Sequence, residues 1–153
     1  MFTGMRALLM CLVTFGLFLS TPALAADVDD LKTTFEKAVK AYNSHDEVFF
    51  TMVHDQSVIF NPSTPFAVDG KAAYQPATLS IWAVTESVAF TPVNPQYRVI
   101  GTTGMAWGHY AISIKLKDGP METSFGRYTV IFAKSGGKWL AVASHYSAIP
   151  SGD

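Results

Sequence analysis

The run from Gly126 to Ser147, Gly-Arg-Tyr-Thr-Val-Ile-Phe-Ala-Lys-Ser-Gly-Gly-Lys-Trp-Leu-Ala-Val-Ala-Ser-His-Tyr-Ser, constrains this chain more than any other stretch. β-Branched and aromatic residues flank Ser135-Gly136-Gly137, which reads as two strands joined by a turn whose glycines take positive φ at little cost. The two-residue period of a strand then predicts Trp139, Ala141, Ala143 and His145 on one face, with Leu140, Val142, Ser144 and Tyr146 on the other. In the first arm Arg127, Thr129, Ile131 and Ala133 oppose Tyr128, Val130, Phe132 and Lys134. Neither face is uniformly polar, so both call for a cover: helices on one side, a second subunit on the other.

The upstream chain supplies the helices. Val28, Leu31, Phe35, Ala38, Val39 and Tyr42 recur at helical spacing and predict a helix over Asp27–Ser44, with Asp27 as its N-cap. A second, short helix is expected from Glu47 to about His54, then a strand over Val58–Phe60 stopped by Asn61-Pro62. A loop over Ser63–Asp69 leads to a third helix from Gly70 to Trp82, weakened or kinked at Pro76. From there the chain is β-rich. Ser87–Val93 and Tyr97–Ile100 read as one strand bent at its prolines, followed by Met105–Leu116, an Asp118-Gly119 turn, Met121–Ala133 and the last arm. This order predicts an α+β fold. Three helices cannot cover both sides of so long a sheet. The expectation is a curved antiparallel sheet wrapped around three N-terminal helices as a conical barrel, with a cavity at its open end. Its convex side would be buried against another copy as a homodimer.

The run Gly126-Arg127-Tyr128-Thr129, a hydrophobic strand, Gly137-Lys138-Trp139 and the closing His145-x-Ser147 resembles the SnoaL-like branch of the nuclear-transport-factor-2-like superfamily, which includes ketosteroid-isomerase-like folds. The resemblance covers the chain after its first 25 residues. It implies a conical α+β barrel that serves isomerases, dehydratases, hydrolases, cyclases and non-catalytic association modules alike, so fold follows from it and chemistry does not.

Residues 1–25 read as a secretory signal peptide. Arg6 precedes a short apolar run, and Ala23-Leu24-Ala25 forms a small-x-small cleavage site. Cleavage would leave a domain over residues 26–150 and a tail over 151–153, in the periplasm or secreted. The one cysteine, Cys11, would leave with the signal, excluding disulfides and thiolate chemistry. Losing Arg6 lowers Lys+Arg from 11 to 10 against 12 acidic residues, so the net charge moves from −1 to −2. That balance gives no field for nucleic acid and no polybasic membrane patch. Aromatic residues make up 13% of the chain, enough to line an apolar pocket.

In ketosteroid-isomerase-like relatives the carboxylate that shuttles the proton stands before Pro at the end of the strand following helix two. Here Asn61 stands there, and an amide cannot take and return a proton. His145 is then the candidate for proton transfer, with Tyr42 assisting; a structural histidine bonded to a carbonyl is the competing role. Ligand-contact candidates are Asn61, Trp82, Trp107, His109, Tyr110 and Arg127. Strand parity puts Trp107 and His109 on one face and Tyr110 on the other, without saying which faces the cavity. Arg127 requires either an internal partner or a ligand carboxylate. Four histidines without metal-site spacing predict no metal, and no cofactor motif is present. The function expected is binding of a small, mostly apolar molecule in the cone. A general acid/base enzyme working through His145, or an association module with a filled cone, are the alternatives.

Overall fold

A computed structural model describes residues 21–150. Most of the signal-peptide reading therefore lies outside the described residues, as do Cys11 and the tail. The elements are α1 (Thr21–Asn43), a 3₁₀ segment (Glu47–Met52), β1 (Val53–Phe60), β2 (Val68–Asp69), α2 (Lys71–Val84), β3 (Thr85–Ile100), β4 (Thr103–Leu116), β5 (Met121–Ser135) and β6 (Lys138–Ala148). The strands form one six-stranded sheet in the order β2-β1-β6-β5-β4-β3. Helices pack on one face of this curved sheet, giving a cone-like α+β fold.

The expected all-antiparallel sheet is corrected at one seam. β1 runs parallel to β6, pairing Val58 with Ala143 and Phe60 with His145. A strand's own pattern says whether it is half-buried, but not which distant strand it lies against, so local periodicity could not register this pairing.

α1 begins earlier than expected. Pro22 in the first turn and the alanines after it are all acceptable at a helix start, so nothing stops the helix at Asp27. Asp27 is therefore not a cap: it sits within α1 and pairs with Lys134 Nζ on β5, while that ammonium lies 5.5 Å from the Trp139 ring centre. At the other end, His45 takes φ 54° just past the helix, the left-handed position that usually favours glycine. Asn43 then reaches the open edge of the sheet. Its Nδ2 donates to Phe90 O at 3.0 Å, and its Oδ1 accepts from Phe90 N at 2.8 Å. One side-chain amide thus satisfies both backbone groups of an edge residue, as a neighbouring strand would.

The expected second helix is a 3₁₀ segment ending at Met52. Asp46 Oδ1 caps it by accepting from Val48 N at 2.9 Å. α2 runs through Pro76 without a break in its assignment. β3 is the single long strand foreseen, with its register irregular between Val93 and Gln96, where Asn94 takes φ 49°. Opposite that irregularity a side chain on Gly108 would meet the carbonyls of Val93 and Asn94 at 3.1 and 3.2 Å. The core joins Leu31 and Phe35 of α1 to Phe90, Val99, Ala106, Tyr110, Tyr128, Val130, Phe132 and Trp139 of the sheet. Leu31 is fully buried over Gly104, whose missing Cβ would lie 2.9 Å from the leucine methyls. This packing identifies the helix-facing, inner side of β3, β4, β5 and β6.

Candidate functional site

The two faces of β6 are not those that simple alternation predicts. Pairing with β5 runs Lys134 with Trp139 and Phe132 with Ala141, then resumes as Ile131 with Ala143. Val142 is the extra residue of a β-bulge, and a bulge reverses the facing of everything after it. Trp139 and Ala141 face the helices. Beyond the bulge, Ala143, His145 and Ser147 are on the outer face, while Ser144 and Tyr146 face inward. The expected face shared by Trp139 and His145 therefore does not exist. His145 is exposed on the outside, its ring edge-on to Phe60 at 6.0 Å. Tyr42, its expected helper, lies across the sheet from it, packed against the inner core.

β4 divides in the same way. Gly104, Ala106 and Tyr110 are buried on the inner side, so Met105, Trp107 and His109 are outside. Trp107 lies under the Arg98 guanidinium, whose carbon is 5.4 Å from the ring centre. Arg127 is exposed and stands between His109 on β4 and Ser147 on β6. Asn61 lies one position past β1, continuing the parity of the buried Ser57 and Ile59, and is half-buried. Its carbonyl accepts from Thr64 N at 3.3 Å. Of the eight residues singled out from sequence, Tyr42, Trp82 and Tyr110 thus share the helix-facing interior; Trp107, His109, Arg127 and His145 share the outer face.

The interior holds more phenols than those two. Tyr74 comes from α2, Tyr128 from β5 and Tyr146 from β6, where Tyr128 and Tyr146 are register partners. Rings connect them. Tyr146 meets Tyr110 at 6.1 Å and Phe90 at 5.9 Å, and Phe90 meets Tyr128 at 5.9 Å. Tyr42 packs 5.8 Å from Trp82 and 5.5 Å from Phe49, and Phe49 lies 6.1 Å from Tyr74. Burial pushes the Tyr146 phenol far above its ordinary range, with the phenols of Tyr74, Tyr42 and Tyr128 adding to the effect. Burial does the same to Tyr74, reinforced by Tyr42, and it raises Tyr42 itself. Tyr128 is raised by burial and then by Tyr97. No ionised side chain contributes to any of these four shifts. At neutral pH these phenols can donate and accept hydrogen bonds.

Tyr42, Tyr74 and Tyr146 are half-buried. Tyr128 OH, Trp82 Nε1 and Ser57 Oγ are sealed from solvent and have no hydrogen-bond partner. Trp82 is also stacked by His45 at 5.2 Å and 15°, and His45 Nε2 lies 3.4 Å from Thr85 Oγ1. Sequence reading missed Tyr74, Tyr128 and Tyr146. Tyr74 was findable, since Tyr74, Thr78 and Trp82 form an i, i+4, i+8 stripe on α2. Tyr146 was hidden by the bulge.

Two surface concavities flank α1, and none of the four clustered tyrosines lines either. One, of about 490 Å³, lies against β3 and is lined by Phe35, Val39, Pro92, Pro95 and Tyr97 among others. The second, of about 670 Å³, lies between α1, the 3₁₀ segment and the β5–β6 turn. Among the described residues no group of three His, Cys, Asp or Glu side chains is placed to hold a metal ion. No described helix is long and apolar enough to cross a membrane.

The sequence model of the SnoaL-like domain matches residues 31–151. Among curated proteins none matches in sequence. Solved structures with the same fold include an NTF2-like protein of unknown function from Pseudomonas putida, at 21% identity and TM-score 0.71, covering 83% of this chain and 89% of that one. A conserved protein from Planctomyces limnophilus superposes with TM-score 0.75 at 17% identity, covering 83% and 99%. An NTF2-like superfamily protein from Salmonella enterica gives TM-score 0.72 at 13% identity, covering 84% and 95%. At these identities the likeness is one of fold.

Proposed function

This chain belongs to the SnoaL-like domain family, and from that premise we propose that it is an exported receptor, binding a small, mostly apolar molecule inside the cone and acting as a homodimer. The observation that carries the reading is the interior itself: half-buried tyrosines from α1, α2 and β6, walled by Phe49, Phe90 and Tyr110. A site built from un-ionised phenols and apolar rings suits binding better than proton transfer. His145 has no part in such a site, because it stands on the opposite side of the sheet from the phenols.

The homodimer rests on the outer face. Val58, Ala143, Ile131 and Met105 form one cross-strand row there, and Leu140 with Ala133 another. Phe60 and Phe125 add aromatic surface that is 51% and 58% exposed. Apolar rows exposed on a sheet face mark an association surface. Export rests on residues 1–25, and the location proposed is the periplasm or the secreted fraction.

The receptor reading is tested with N-phenyl-1-naphthylamine, a neutral apolar dye whose emission rises out of water. Saturable binding is expected, with a rise in melting temperature. Ser144→Phe, which adds a ring beside Tyr146, should abolish binding while the variant stays folded by circular dichroism. Binding unaffected by that substitution would remove the cone as the site.

A further inference from the structure

Strand register places a second gathering of polar side chains on the outer face of the sheet. Val93, His109, Arg127 and Ser147 form one row across β3, β4, β5 and β6. Gln96, Trp107, Thr129, His145 and Phe60 form the next. Beside it runs the apolar row of Met105, Ile131, Ala143 and Val58, with Arg98 at one end and Asp69 at the other. His109, Arg127 and His145 are all exposed.

Charge on this face is one-sided. Arg127 is the direct cross-strand neighbour of His109, and Arg98 lies over Trp107. Asp69 is out on the edge strand β2, with β6 and β1 between it and Arg127. Glu86, at the start of β3, is 3.6 Å from Lys115, and Lys138 stands at the hairpin turn. Neither histidine row therefore contains a carboxylate. The other two described histidines are engaged elsewhere. His54, at the start of β1, uses Nδ1 to accept from Gln56 N at 3.1 Å, and His45 is stacked on Trp82.

We propose that His109 and His145 make the homodimer pH-gated: two copies associate through the outer face while these imidazoles are neutral and separate when they gain charge. This rests on the homodimer reading. A stable interface takes about 800 Å² from each partner, far more than one apolar row, so a copy that covers Ile131 also covers the adjoining histidine rows. A two-fold contact lays the same patch against itself. Protonation then puts His109, His145 and Arg127 of both copies out of water together, with no carboxylate to meet them. Covering an imidazole disfavours its charged form, so the separated chains bind more protons than the dimer, and falling pH favours dissociation. Histidine is the side chain whose ordinary charge change lies between about pH 5 and 8, and carboxylates stay ionised over that range.

Sedimentation velocity at about pH 7.5 and pH 5.0 tests the gate, with circular dichroism to show the chain folded at both. The dissociation constant is expected to be at least about tenfold higher at the lower pH. The double variant His109→Gln/His145→Gln should dimerise equally well at both. Calorimetric dilution at about pH 6.5 in phosphate and in Bis-Tris, buffers of different ionisation heat, should reveal proton uptake as the unaltered dimer separates. Equal dissociation constants at the two pH values, or dissociation without proton uptake, overturns the gate and leaves the homodimer standing. Undiminished pH dependence in the double variant also overturns it, because the effect then belongs to His45 or His54. A chain that is monomeric at every concentration at the higher pH overturns gate and homodimer together. The dilution measurement needs no substitution, so it decides the matter even if the double variant does not fold.

Discussion

At Gly126 the absence of a side chain is a packing requirement. An added Cβ would stand 2.3 Å from Tyr110 Cζ and 2.4 Å from the Ser147 carbonyl, so the tyrosine ring occupies the space where it would go. Gly126→Ala should therefore destabilise by about 3 kcal/mol or more in urea unfolding, at or beyond the upper end of ordinary overpacking. Asn43 makes a different prediction. Asn43→Ala strips both backbone groups of Phe90 of their partners and should cost about 1–3 kcal/mol, while Asn43→Asp keeps only the acceptor for Phe90 N and falls between. On the surface, Lys71 Nζ is 2.6 Å from Asp55 Oδ1. That hydrogen bond and charge hold the Asp55 carboxyl below the usual range. A depressed acid contributes stability above its unfolded pKa and loses it as pH falls through the folded one. Carboxyl NMR titration should place Asp55 below an ordinary aspartate, and Lys71→Ala should return it.

At the level of elements, the β6 bulge decides which residues are inside. Deleting Val142 would set Ala143 directly after Ala141 in plain alternation against β5, removing the bulge while keeping His145 outside and Tyr146 inside. Cooperative unfolding in urea, followed by circular dichroism, is therefore expected to survive both that deletion and Val142→Ala. The same element shows how far the sequence could be read. Apart from β2, which falls in the stretch Ser63–Asp69 read as a loop, the helix and strand order, the single long β3 and the hairpin at Ser135–Gly137 are written in periodicity and turn residues, and the structure has them. The inner face of β5 was legible because Tyr128, Val130 and Phe132 alternate cleanly with Arg127, Thr129 and Ile131. The bulge was not. Ala141-Val142-Ala143 carries no glycine, proline or polar interruption, and an extra residue exists only relative to the partner strand. Asp27 was misjudged for a related reason: capping chemistry says where a helix can start, and the alanines before it let it start sooner. The parallel β1–β6 seam and the gathering of four tyrosines are tertiary facts with no local mark.

For the whole molecule, all six tyrosines have raised pKa values, each with burial as the first cause. A raised phenol stabilises the fold fully below the unfolded value near 10, and that contribution is lost as pH climbs above it. Absorbance at 295 nm should stay flat past pH 10 and then rise in one cooperative step that coincides with loss of secondary structure. Separate titration at ordinary phenol values would contradict the packing described. The outer face sets the test of the proposed homodimer: Ile131→Lys should convert it to a monomer by sedimentation velocity with an unchanged circular dichroism spectrum. Finally, the seam between β1 and β6 joins residues 53–60 to residues 138–148. The first strand off the ribosome waits for the last one, so the sheet cannot close on a nascent chain until nearly all of it has been synthesised. Contacts so far apart along the polypeptide slow folding. The emerging chain must keep this seam unpaired for most of its translation, which leaves a window in which chaperones can hold it.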